Sequence, residues 1–151
     1  MDEMQIVVCE LKEELYGLDI SRVYEIIRFQ PITVVPHAPK YVEGVINLRG
    51  RIVPVVDLSM RFGMAHSEAT KASRIIVAGT GDLRVGLIVD GVSEVLMIRE
   101  DAIEPTPAAV STAQDSKYLR GIAKLGDQLV ILLEMDALFG QEDRQALEQA
   151  A

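Results

Sequence analysis

The chain contains a second copy of itself. Residues 41–63, from Tyr-Val-Glu-Gly to Met-Arg-Phe-Gly, align without a gap to residues 118–140, and Tyr41/Tyr118, Gly44/Gly121, Leu48/Leu125, Val53/Val130, Phe62/Phe139 and Gly63/Gly140 are identical. Upstream, residues 7–27 align to 76–96 through Val8/Val77, Gly17/Gly86, Leu18/Leu87, Val23/Val92 and Glu25/Glu94. The first register has an offset of 77 residues and the second 69, so the second copy is longer by eight residues, which fall in the link at 97–117 that answers 28–40. Val, Ile, Leu and Gly recur in any β-rich chain, but Tyr and Phe-Gly matching in one frame mark a duplication. The approximate repeats are 4–63 and 74–140, followed by a Glu/Gln/Ala-rich tail at 141–151 that favours helix.

Each repeat reads as short strands and turns. Met4–Leu11 runs into polar Lys12-Glu13-Glu14, and Tyr16, Leu18 and Ile20 then alternate with Gly17 and Asp19 in a hairpin pattern. Tyr24–Phe29 follows as a third strand, and the three prolines between Pro31 and Pro39 keep that segment extended. Lys40–Glu43 is expected to form a helical turn stopped by Gly44. Val45–Leu48 and Arg51–Val56 flank the hairpin tip Arg49-Gly50, and Pro54, which cannot donate to a ladder, predicts an edge or a bulge in that last strand. Asp57 is placed to cap a short helix over Leu58–Phe62 that Gly63 ends. The second repeat echoes these elements with Arg74–Ala78, Leu83–Asp90, Glu94–Ile98, Ile122–Leu125 and Gln128–Leu133, about ten strands in all. Short strands with turn signals at this spacing predict two small antiparallel barrels. Apolar residues of both parities in Ile52–Val56 and Leu129–Leu133 predict that both faces are covered and that the barrels pack on each other.

With 151 residues the chain is expected to be a single domain spanning 1–151. Its 15 Lys and Arg against 23 Asp and Glu give a net charge of −8, which opposes general binding to nucleic acid or anionic lipid. The longest apolar run, Leu129–Leu133, is far short of the roughly 20 residues of a membrane helix, and the acidic start Met1-Asp2-Glu3 is not a signal peptide, so a cytoplasmic location with no membrane insertion is expected. The lone Cys9, flanked by Val7, Val8 and Leu11, reads as a small hydrophobe in a strand.

Residue patterns that carry catalytic or metal chemistry are few. His37 sits between prolines and His66 in the polar joint, neither at a zinc-type spacing from another ligand, so no metal site and no cofactor are expected. Gly79-Thr80-Gly81-Asp82 lacks the Gly-Lys-Ser/Thr ending of a phosphate loop and leads into a strand, which makes it a hairpin turn. Asp101 and Glu104 lie in a polar stretch that reads as a solvated face, and no catalytic elbow or triad pattern occurs. The chain is expected not to be an enzyme. A carboxylate-dependent hydrolase and a small-barrel nucleic-acid module are the competing classes. The second would need a basic, aromatic-studded face, which four Tyr, three Phe and the acidic balance do not favour.

Arg49 stands out, because Gly126 replaces it in the second copy while the apolar frame around it is kept. It reads either as a solvated tip charge or as a guanidinium aimed at a partner's carboxylate. Glu25, matched by Glu94, reads as an exposed alternation position or as a salt-bridge partner of Arg49.

The run Val42-Glu43-Gly44-Val45-Ile46-Asn47-Leu48-Arg49-Gly50-Arg51-Ile52-Val53-Pro54-Val55-Val56-Asp57-Leu58 resembles the signature of the CheW family of bacterial chemotaxis coupling proteins. Tyr16–Ile20, Val23–Ile26, Val85–Val92 and Tyr118–Gly121 extend the resemblance over nearly the whole chain in family order. It implies an all-β fold of two five-stranded SH3-like β-barrels around a shared core, with short helices. It also implies an adaptor that joins the tips of methyl-accepting chemotaxis receptors to the regulatory domain of the CheA histidine kinase, in receptor arrays at the inner face of the membrane. Carried over by position, the receptor groove maps to Val23, Glu25, Gly44, Arg49 and Val95, with Arg49 and Glu25 facing each other. The kinase contacts map to Ile20 and to the connection from Ile103 to Ala109, where Ala109 is small for such a contact. With no kinase or receiver segment in its 151 residues, the chain is expected to be a stand-alone coupling protein.

Overall fold

The structure, a computed structural model, describes residues 2–66, 68–105 and 118–150. The first repeat supplies β1 (Glu3–Leu11), β2 (Glu14–Asp19), β3 (Val23–Arg28), β4 (Val42–Leu48) and β5 (Arg51–Asp57). The second supplies β6 (Arg74–Thr80), β7 (Leu83–Val89), β8 (Gly91–Arg99), β9 (Leu119–Leu125) and β10 (Gln128–Leu133). Three helices, α1 (Leu58–Arg61), α2 (Met135–Leu138) and α3 (Gln141–Ala150), follow the last strands of the repeats. Asp57 caps α1 by accepting a hydrogen bond from Met60 N–H, as its position before an apolar helical turn requires.

The two sheets are not the two repeats. One has the order β8-β1-β2-β10-β9 and the other β3-β6-β7-β5-β4. The β1–β2 hairpin is therefore completed by strands of the second repeat, and the β6–β7 hairpin by strands of the first. The crossing out of β2 is made by a single 3-10 turn at Ile20–Arg22, where the Asp19 carboxylate accepts from Ser21 N–H at 2.9 Å and turns the chain away from its own hairpin. The exchange is symmetric residue by residue. Val55 pairs with Gly86 where β5 runs parallel to β7, and Leu132 pairs with Gly17 where β10 runs parallel to β2, the same two positions at the offsets of 77 and 69. Each sheet is SH3-like and open, since among the described residues its two edge strands are not paired with each other. Bridges from Thr33 to Val45 and from Glu104 to Ile122 extend the β4 and β9 edges.

Alternate residues of the same strand serve different cores. In β1, Ile6 and Val8 fill the interior of one sheet with Val130 and Leu132, while Val7, Cys9 and Leu11 face a shared core between the sheets with Leu18, Val56, Ile76, Val85 and Leu87. In β6, Ile75 and Val77 pack with Ile46, Val53 and Val55 inside the other sheet. Both faces are thus covered along most of these strands, but Ile52 and Leu129, equivalent at the offset of 77, are the second residues of their strands and stay about half exposed. Cys9 is fully buried, and loss of solvent pushes its thiol pKa up to about 12, which leaves it inert.

Two local expectations are corrected. Gly44 does not stop a helical turn: Val42 already begins β4, and Gly44 lies within the strand at a register shift against β5. Its φ is +151°, and a Cβ there would collide with the carbonyl of Thr33. Pro54 marks neither an edge nor the bulge, because β5 lies between β4 and β7. Its partner Val45 uses both backbone groups on Thr33, at 2.9 Å each, and pairing to β7 starts only at Val55, so no ladder bond needs the missing donor.

The duplicated aromatic residues meet at the seam between repeats. Tyr118 stacks on Phe62 at 5.5 Å, Phe62 on Tyr16 at 5.6 Å, and the Arg61 guanidinium lies 4.9 Å from the Tyr118 ring centre and 5.4 Å from that of Tyr41. Tyr41 donates from its hydroxyl to Asp143 at the start of α3, whose Leu147 is fully buried in the shared core.

Candidate functional site

Arg49 and Gly50 form the tip between β4 and β5, with φ of +51° and +85°. The tip is locked by Asn47 Oδ1, which accepts from Gly50 N–H at 2.8 Å. A positive φ at both central positions is the geometry that two-residue hairpins favour, and it suits glycine or asparagine better than a residue with a long side chain. The second repeat follows that preference with Gly126 at φ +59°. Arg49 therefore holds a backbone conformation that the fold accommodates more easily with glycine.

Glu25 reaches the same place from β3. The half-buried positions of β3 are Val23, Glu25 and Ile27, alternating with exposed Tyr24, Ile26 and Arg28. β3 and β4 are the two outer strands of one sheet, so the curl of that sheet brings Glu25 to the β4 tip. The Arg49 guanidinium donates to both carboxylate oxygens, with Nη1 3.1 Å from Oε1 and Nη2 bonded to Oε2. This forked pair spans the gap that the backbone leaves unpaired. The donated hydrogen bonds hold the Glu25 carboxyl below its ordinary pKa, with the charges of Arg49 and Arg84 adding to the effect, and Glu25 in turn raises Arg49. A carboxyl lowered in this way stays ionised at neutral pH and loses the pair only as pH falls through its lowered pKa. Arg49 remains 70% exposed, so the cation is open to a partner on its outer side.

The other positions expected at this surface behave differently. Val23 is half-buried at the start of β3 and packs against the shared core. Gly44 is buried under Thr33 and presents no surface of its own. Val95 lies on β8, an edge of the other sheet, where it is about half exposed and matches Ile26 of β3 at the offset of 69. Of the expected kinase-facing residues, Ile20 sits half-buried in the 3-10 turn that crosses between sheets. Ile103 packs on the core of the first sheet and against Gly121, while Ala109 lies outside the described residues.

One neighbouring contact carries no signal in the sequence. The Arg84 guanidinium lies 3.9 Å from the ring centre of exposed Tyr24, whose ring covers Gly79. Arg61 had one available signal of the kind that marked Arg49, since buried Leu138 replaces it in the second repeat. Asp101 and Glu104 pair at the surface with Arg99 and Lys124 at 2.6 and 3.2 Å, as a solvated face does.

The description "CheW-like domain" matches residues 5–143 of the chain. A chemotaxis protein CheW of Rhizobium meliloti is 39% identical over 142 residues, which cover 94% of this chain and 91% of that one. Another, from Thermotoga maritima, is 37% identical over 138 residues, covering 91% and 89%. The crystal structure of the scaffolding protein TtCheW from Thermoanaerobacter tengcongensis superposes with a TM-score of 0.84 at 42% identity, covering 95% of this chain and 92% of that one. Two SH3-like sheets in an exchanged arrangement, a run of family residues across the β4–β5 tip, and these likenesses over nearly the full length agree, and the chain belongs to the CheW family.

Proposed function

We propose that the chain is a chemotaxis adaptor coupling the cytoplasmic tips of chemoreceptors to the regulatory domain of CheA, and that the Glu25–Arg49 edge meets the receptor. It works by holding partners in register, with no catalytic step of its own. No helix among the described residues is long and apolar enough to cross a membrane. The observation that carries the site assignment is Arg49 itself, a long cationic side chain at a positive-φ tip where the matching hairpin has glycine. Lys12 stands at the same φ with Gly81 at its matching position, so what sets Arg49 apart is that its guanidinium also reaches across the sheet gap to Glu25 while its outer side stays exposed. Glu25 orients the guanidinium and leaves its outer N–H groups to donate to a receptor carboxylate, on a protein whose net charge of −8 makes an exposed cation distinctive. Val23 anchors the start of β3 in the shared core, Gly44 lets β4 close against Thr33, and exposed Val95, on the edge of the other sheet, is assigned to the same partner. Ile20 and Ile103 lie at the sheet crossing and over the first sheet's core, and belong to the kinase side with Ala109.

The test separates recognition from bracing of the sheet. Arg49→Gly should weaken binding to a receptor tip fragment by about 10- to 150-fold, the range lost with one charge-assisted hydrogen bond, while CheA binding stays unchanged. The double exchange Glu25→Arg with Arg49→Glu restores an ion pair across the same gap with reversed charge. If the receptor is recognised through the cation, this variant keeps the parent's thermal stability but does not bind the receptor. Receptor affinity equal to the parent in the exchanged variant would reduce the pair to a brace and overturn the assignment.

A further inference from the structure

We propose that Glu43, Asp57 and His66 form a binding site for a divalent transition-metal ion of the zinc class. Glu43 lies at the register shift of β4, Asp57 ends β5, and His66 follows α1 in the segment that joins the repeats. His66 Nδ1 is 2.8 Å from Asp57 Oδ2 and 3.2 Å from Glu43 Oε1, and one donor atom from each residue lies within 4.8 Å of the others. Metal bonds of about 2.0–2.1 Å in tetrahedral geometry hold neighbouring donors about 3.3 Å apart, so small side-chain adjustments admit an ion among these three. One imidazole and two carboxylates form a donor set suited to zinc and related ions, and one of poor fit to calcium or magnesium, which favour oxygen alone.

Three further observations support a site over a chance cluster. The Asp57 side chain is 4% exposed, and its Oδ1 accepts from Met60 N–H, which fixes the carboxylate and leaves Oδ2 for the ion. A cavity of about 190 Å³ opens on Glu43 and His66, with Glu68 on its wall, giving room for a water or the Glu68 carboxylate as the fourth ligand. The fold does not require the set: at the offset of 77, Arg120 takes the place of Glu43 and Glu134 that of Asp57. A bound ion would tie the joint between repeats to β4 and β5, one residue from Gly44.

The full chain contains only two histidines, which makes the test clean. Zn²⁺ is titrated by competition with a chromophoric chelator, and Co²⁺ by its visible ligand-field absorption, into the parent and into His66→Ala, Glu43→Gln and His37→Ala. One equivalent should bind to the parent and to His37→Ala, and His66→Ala and Glu43→Gln should each weaken binding at least about tenfold and lose the Co²⁺ bands. Both replaced side chains are partly exposed, so the variants should keep the parent's circular dichroism, and a variant that unfolds is replaced by His66→Gln, which must show the same loss. Absence of saturable binding in the parent would leave an imidazole shared between two carboxylates and overturn the proposal. So would binding that survives His66→Ala or is lost instead in His37→Ala.

Discussion

At the scale of single residues, glycine and its replacements separate what the fold needs from what a partner needs. Gly44 and Gly121 occupy matching bulges, and a Cβ at Gly44 would lie 2.7 Å from the Thr33 carbonyl carbon, while one at Gly121 would lie 2.7 Å from the Glu104 carbonyl oxygen. Gly44→Ala and Gly121→Ala should each destabilise the protein by about 1–3 kcal/mol in urea unfolding, because each pushes a bridging strand off its edge. A neutral Gly121→Ala would contradict this common structural role. The departure from symmetry at Arg49 was legible in the sequence because Gly126 replaces it while the apolar frame on either side is kept. The meeting of Glu43, Asp57 and His66 was not legible, since their spacing follows no ligand pattern and depends on where α1 returns the chain. Gly44 could be read as special from its match to Gly121, but its reason, a carbonyl packed against its bare Cα, exists only in three dimensions.

At the scale of elements, all ten strands could be found from alternation and turn residues, with ends shifted by a few positions. Which strand pairs with which could not. Alternation fixes the faces of a strand, but partner choice depends on the direction taken at Ile20–Arg22, a three-residue turn whose Asp19 cap sends β3 into the other sheet. Pro54 was misread for the same reason, because the bond it lacks is one that Val45 already makes to Thr33. The exchange has an energetic consequence. Leu87 of β7 is fully buried in the shared core, between Ile76 of β6 and Val56 of β5. Leu87→Ala should cost about 2–5 kcal/mol and lower a single cooperative transition followed by both circular dichroism and tyrosine fluorescence. Two separated transitions would show that the sheets unfold independently and that the shared core is not common to both.

At the scale of the whole molecule, the exchange makes neither sheet complete without strands from both repeats. A surface on β3 and the β4 tip is thereby joined through one continuous core to β8 and the sheet crossing at Ile20. Under the proposed function, a receptor held at one edge and a kinase held at another would be kept in register through this shared, close-packed core. The most direct test is receptor-dependent activation of CheA, reconstituted from receptor fragments, kinase and this chain, with Arg49→Gly compared to the parent at matched concentration. The variant is expected to bind CheA as the parent does, to keep its melting temperature or gain slightly as the strained tip relaxes, and to fail to couple kinase activity to the receptor. Full receptor-coupled activity with Arg49→Gly would contradict this expectation.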